Sequence, residues 1–236
     1  MKYRIADFDF CDLEEWKELS NSSTDMLSFD SIFDISEEDI AYEDKGSKEN
    51  YEQKYLAFIA FHRKIAEWLP QHGAFVLHSA CFDINGVGMA FAAHSGTGKT
   101  THMLNWQKMC GEKLKIVNGD KPIIRFFDNE PEIPYAYGTP WRGKESLGCN
   151  MRTKLQHICF IERSQLNYVE QMKKSDAIEL IFNQVYRSKD PVTVMQTMQL
   201  IDRLLSYCKL WTIHCNMDVD SAKVAYKTIF GEKPLF

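Results

Sequence analysis

The stretch VGMAFAAHSGTGKTT, residues 87–101, decides the reading of this chain. Val87 to Ala93 is an apolar run of a length that suits a buried strand. It feeds a glycine-bearing turn, and a helical pattern follows from about Lys99 to Met109, closed by Gly111. Gly96 and Gly98 let the chain curl so that successive N–H groups point inward at an anion. The N-terminus of the following helix adds its dipole at the same place. In such a loop the lysine, here Lys99, reaches the β and γ phosphates, and the next hydroxyl, Thr100, suits Mg²⁺. Ser95, Gly96, Thr97, Gly98, Lys99, Thr100 and Thr101 are therefore the candidate nucleotide-binding residues. Ala93 stands where the usual pattern has its first glycine, which is tolerable if φ is negative there. His94 reads as a loop residue, either near the phosphates or merely exposed.

Working outward, FVLHSACFDI (75–84) is β-rich, and Asn85-Gly86 is a two-residue hairpin signal. LKIVNGD (114–120) reads as a buried strand ending in an acid. In a parallel α/β unit that strand lies beside the loop strand, so Asp120 joins Thr100 as a candidate metal ligand. PIIRFF, IPYAYGT and LQHICFIER (155–163) are further strands. Tyr55, Leu56, Ile59, Phe61, Ile65, Trp68 and Leu69 recur at helical spacing until Pro70 and Gly73. That aromatic face is expected to be core packing. KYRIADF (2–8) reads as one short strand, and DISEEDIAYEDKGSKEN (34–50) as an exposed edge strand plus a flexible loop. The last third reads as mostly helical, over 175–187, 191–208 and 219–229.

The expected fold is α/β, a mixed β-sheet with a P-loop and a helical C-terminal third. It forms a single domain over 1–236. Within it, 1–72 holds an N-terminal strand, acidic segment and helix, 73–170 a nucleotide-binding core, and 171–236 the helical part. A formal net charge of -5 argues against a nucleic-acid partner. No run approaches a membrane span and no leader pattern opens the chain. Seven scattered cysteines without a CxxC pair suit reduced thiols in a cytoplasmic protein.

A second glycine-rich segment, YGTPWRGKESLGCN (137–150), carries Arg142, Lys144 and Glu145 around Trp141. Long loops beside α/β sites are often functional. Cations there would stabilise a transferring phosphoryl group, and Trp141 would wall a pocket. Trp141, Arg142 and Lys144 are thus candidate substrate residues, with Arg142 the strongest and Arg163 a weaker alternative at the sheet edge.

LHSACFDINGVGMAFAAHSGTGKTT followed by VNGD resembles the catalytic domain of HPr kinase/phosphorylase and the related phosphoenolpyruvate carboxykinase-type P-loop. The likeness is good over about 73–125 and less specific beyond. It implies an ATP- and Mg²⁺-dependent kinase acting on a hydroxyl acceptor, either a protein or peptide serine or a small molecule. It places His78 near the transferring phosphate, so that His78, Lys99, Asp120 and Arg142 form the catalytic set. HPr kinases assemble into oligomers, so a homo-oligomer is a further expectation. The family usually carries two adjacent acids where this chain reads Gly119-Asp120. Three readings stay open: Asp120 does both jobs, His78 accepts the proton, or the chain is a non-catalytic nucleotide-binding sensor.

Overall fold

The computed structural model describes residues 2–12, 24, 30–47, 49–94 and 96–231. The N-terminus is not one strand. β1 (Lys2–Ile5) and β2 (Phe8–Asp12) form an antiparallel hairpin, with β3 (Ser31–Phe33) parallel to β2. The turn uses Ala6 and Asp7, both left-handed at φ 54° and 59°. Neither residue advertises that conformation, so the turn leaves no glycine signal.

The acidic segment is likewise not a loop. Glu37–Gly46 form α1, opened by a capping box between Ser36 and Asp39. It buries no side chain. Half-buried Ile40 packs against the core, and ion pairs add to it: Arg63 of α2 (Gln53–Trp68) meets Asp39 at 2.7 Å and Glu43 at 2.6 Å, and Lys64 meets Asp39 at 2.7 Å. A helix held this way carries no apolar stripe for the sequence pattern to detect. By contrast α2 buries Leu56, Phe58, Phe61 and Ile65, as its periodicity requires.

A second, nine-stranded mixed sheet carries the rest. β4 (Ala74–Val76), β5 (Ala80–Ile84), β6 (Val87–Ala92), β7 (Leu114–Asn118), β8 (Ile123–Phe127), β9 (Glu130–Tyr137) and β10 (Arg152–Arg163) run in the order β4-β8-β9-β10-β6-β5-β7. The apolar run 75–84 is thus two strands, split at His78-Ser79, that sit far apart in the sheet. β12 (Lys209–Cys215) lies parallel to β10 and carries β11 (Tyr168–Gln171) on its outer side. The last third is therefore not purely helical. Besides α4 (Lys174–Phe182), α5 (Pro191–Tyr207) and α6 (Asp220–Phe230), it contributes a strand to the sheet. The run KLWTIHC is short, and two long helices flank it, which obscured it.

α3 (Lys99–Cys110) and α6 cover one part of the sheet with Met103, Trp106, Ala222 and Ala225, while α4 and α5 cover another with Ile181, Leu200 and Leu204. All seven cysteines are free. No helix among the described residues is long and apolar enough to cross a membrane.

Three histidines are built into this packing. Burial pushes His62 down to about 3, and His102 and His157 to about 4, from an ordinary 6.5. The folded state thus binds fewer protons than the unfolded chain between those values, so stability is complete above the ordinary value and is lost as pH falls below it. Each histidine adds a slope of up to about 1.4 kcal/mol per pH unit. Chemical denaturation across the acid range measures this, and a stability independent of pH through that window would contradict it.

Candidate functional site

The strand order explains how the site is assembled. Asn85-Gly86 folds β5 back antiparallel on β6, and β7 pairs antiparallel with the other edge of β5. β7 is therefore not beside β6, as a parallel unit would have it; the hairpin takes that place. Yet β6 and β7 point the same way, and β5 begins where both end. Ala80 pairs with Phe91 and Cys81 with Asn118. Three things consequently meet at one end of the sheet: His78 just before β5, the glycine turn after β6, and Asp120 after β7.

The segment 77–79 is fixed by backbone hydrogen bonds on two sides. Leu77 N–H donates to Pro122 O (3.0 Å) and Ser79 N–H to Asp120 O (2.9 Å). His78 N–H donates to Gln184 O (2.7 Å). His78 Nε2 then lies 3.2 Å from Asp120 Oδ1. Burial, the largest single influence on the Asp120 carboxyl, pushes its pKa up. The hydrogen bond from His78 and the charges of Lys121 and Lys99 outweigh it, and the net shift is downward.

Asp120 is aimed by a residue that sequence reasoning passed over. Asn118 is fully buried, and its Oδ1 accepts from the N–H groups of Asp120 (2.8 Å) and Lys121 (2.7 Å). Its Nδ2 donates to Thr139 O (3.2 Å) and Thr139 Oγ1 (2.9 Å). An Asn-Gly-Asp run signals such an Asx turn; the burial of Asn118 is what only the fold reveals.

Gly96 and Gly98 are left-handed at φ 77° and 120°, as the curled turn requires. Ser95 lies outside the described residues. Lys99 is buried, and its Nζ donates to Ala93 O at 2.8 Å, back along the strand it follows. Burial lowers its pKa, and the negative charge of Asp120 offsets part of that shift. His94 is exposed. Arg163 donates from Nε to Thr97 O (3.2 Å) and from its terminal nitrogen to Gly96 O, bracing the turn from β10.

A cleft of about 490 Å³ gathers these groups: His78, Gly96, Gly98, Lys99, Thr100, Thr101 and Asp120, together with Gly143, Lys144, Glu145 and Arg163. Thr100 and Asp120 place two hard oxygen donors on its walls, the type that Mg²⁺ takes. No cluster of three or more His, Cys, Asp or Glu side chains suited to a metal occurs among the described residues. Any cation here would need oxygens from a ligand or water as well.

Two of the expected substrate residues are not brought into this cleft. Trp141 is 7% exposed and stacks on Phe58, with ring centroids 5.5 Å apart, so it belongs to the core beneath α2. Arg142 turns its Nε to Thr139 O (3.0 Å) and does not line the cleft; Arg163 does. The segment 137–150 is pinned to β7 and β10 rather than free to close. Gly119 N–H donates to Leu147 O (2.9 Å), Cys149 N–H to Val117 O (3.3 Å) and Gly138 N–H to Met151 O (2.8 Å). This packing also bears on the missing acid. A Cβ at Gly119 would lie 3.3 Å from Arg142 O, Leu147 Cβ and Leu147 O, a crowded position for any side chain.

No family model matches this sequence, and no curated protein is similar to it. Among solved structures, the HPr(Ser) kinase/phosphatase from Coxiella burnetii matches at a TM-score of 0.31 and 9% identity, over 55% of this chain and 90% of that one.

Gly119→Asp, which writes in the second acid, is expected to lower stability by about 1–3 kcal/mol through overpacking. Thermal unfolding checks this; an unchanged melting temperature would show that the 142–147 segment yields freely.

Proposed function

We propose that this chain is an ATP- and Mg²⁺-dependent kinase that transfers the γ-phosphate to a hydroxyl acceptor. The observation that carries the reading is the convergence of the glycine turn, Lys99, Thr100, Asp120 and His78 on one cleft. An anion-binding turn alone would suit any phosphate ligand. A carboxylate hydrogen-bonded to an imidazole at the same end adds a means of accepting a proton.

In this reading the N–H groups of 96–101 cradle the β and γ phosphates. Lys99 leaves the Ala93 carbonyl and pairs with them. The nucleoside extends into the adjoining hollow of about 440 Å³ lined by Thr97, Ile161, Arg163, Asn216 and Met217. Thr100 and Asp120 would hold Mg²⁺, which supplies charge neutralisation on the phosphates. Asp120, ionised because His78 and two lysines favour its charge, takes the acceptor proton, and His78 keeps that carboxylate in place. Lys144 and Arg163, which also line the cleft, offset developing charge. A loose phosphoryl-transfer transition state asks mainly for positioning and charge, and a single carboxylate suffices as base.

A second reading, a nucleotide sensor without transfer, is favoured by one observation: the crowded Gly119, where a second acid is absent. Incubation with γ-labelled ATP and hydroxyl acceptors separates the two. Lys99→Ala is expected to weaken ATP binding and abolish labelling. His78→Ala is expected to lower kcat about 10²-fold or more while sparing ATP affinity. Equal loss of both would make His78 structural, and unchanged kinetics in Asp120→Asn would remove Asp120 from the reaction. Tight ATP binding with no labelled product from any acceptor would establish the sensor.

A further inference from the structure

Thr139 follows β9, lies outside the cleft and is only 1% exposed. The chain that delivers it runs tight against its neighbours: a Cβ at Gly138 would collide with the carbonyls of Cys149 and Val117. From there its polar atoms reach the backbone that carries Asp120. The Thr139 hydroxyl donates to Lys121 O at 2.8 Å, with Trp141 O the more distant alternative at 3.4 Å. A threonine hydroxyl has a single proton, so once that is given to Lys121 the oxygen can only accept. It accepts from Asn118 Nδ2 at 2.9 Å, and Thr139 O accepts from the same nitrogen at 3.2 Å.

This settles the orientation of a buried amide. An asparagine side chain donates at one end and accepts at the other, and its neighbours decide which end lies where. Two acceptors on Thr139 draw the Asn118 nitrogen to that side. The opposite end is then an oxygen, as the N–H groups of Asp120 (2.8 Å) and Lys121 (2.7 Å) require. Reversed, the amide would set its nitrogen against two N–H groups and its oxygen against a carbonyl, in the interior, where unmade hydrogen bonds are costly.

The effect carries through to His78. Asp120 O accepts from Ser79 N–H (2.9 Å) and Pro122 O from Leu77 N–H (3.0 Å). Lys121 O, between them, is the carbonyl that Thr139 takes. The carbonyls on either side of Lys121 thus hold the backbone on either side of His78, and the middle one anchors the segment. Thr139 O also accepts from Arg142 Nε at 3.0 Å, just ahead of Gly143, where a Cβ would lie 3.1 Å from that of Asp120. Two segments that meet at Asp120 are therefore tied to one residue.

We infer that Thr139 is a positioning residue of this site: its hydroxyl, by fixing the Asn118 amide and the Lys121 carbonyl, keeps Asp120 aimed at His78. The sheet brings these residues to the same end, and Thr139 holds them in register from outside the cleft. This rests on the kinase reading for the reaction, though not for the geometry.

Two variants of the full chain separate a positioning hydroxyl from plain packing. Thr139→Val keeps the shape and loses the hydroxyl, whereas Thr139→Ser keeps the hydroxyl and loses a methyl group. Amide hydrogen exchange without nucleotide reads the geometry. In the wild type the N–H groups of Asp120 and Lys121 should be protected, a reading that needs no variant. Thr139→Val should speed their exchange about five- to tenfold, the loss of one hydrogen bond, relative to amides of β10, and Thr139→Ser should not. With γ-labelled ATP and a hydroxyl acceptor, Thr139→Val should lower kcat about tenfold or more. Its KM for ATP should stay unchanged, because Arg163 braces the glycine turn separately. Thr139→Ser should keep most of the wild-type kcat. Free exchange of those two amides in the wild type, exchange unmoved by Thr139→Val, or a serine variant as impaired as the valine one would each overturn the inference. If the wild type transfers no phosphate from ATP to any acceptor, the kinase reading falls instead, while the exchange arm still decides the role of Thr139.

Discussion

Everything at the proposed reacting end depends on one constraint: an antiparallel strand inserted between two strands that point the same way. β5 starts where β6 and β7 stop, so the residue before one strand meets the residues after two others. Backbone hydrogen bonding in the sheet thus sets the His78 to Asp120 spacing before any side chain is chosen. The two-residue turn at Asn85-Gly86 makes this arrangement cheap, because its twist matches that of the flanking strands.

Around that frame, the side chains work by restraint. Asn118 satisfies two N–H groups of the turn that presents Asp120 and is itself gripped by Thr139. Arg163 braces the glycine turn from a neighbouring strand. Lys99 donates from its ammonium to the Ala93 carbonyl, which holds it against the strand it follows. Such a site is largely organised in advance, which lowers the ordering cost of binding.

The legible part of the fold was the part written in local chemistry. The turn 96–98, the Asn85-Gly86 hairpin, α2, α3 and the strands β6 to β10 all carry periodicity or turn residues that name them. What escaped was whatever depends on distant partners. The Ala6-Asp7 turn has no glycine, and α1 has no apolar stripe because ion pairs attach it. β12 becomes a strand because β10 and β11 are waiting on either side. At the site, Lys99, Thr100, Asp120 and His78 could be picked out singly and do share a cleft. Trp141 and Arg142 lie outside that cleft: Trp141 packs on Phe58, and the segment after it is hydrogen-bonded to the end of β7.

The ion pairs that hold α1 have a consequence of their own. α1 fully buries no side chain and adds only a half-buried Ile40 to the core, so its ion pairs to Arg63 and Lys64 carry much of its hold on α2. Mobile ions weaken forces of that kind, while the hydrogen-bonded sheet end beneath is almost indifferent to them. The hold on α1 therefore answers in part to the salt content of its surroundings, and the sheet end does not.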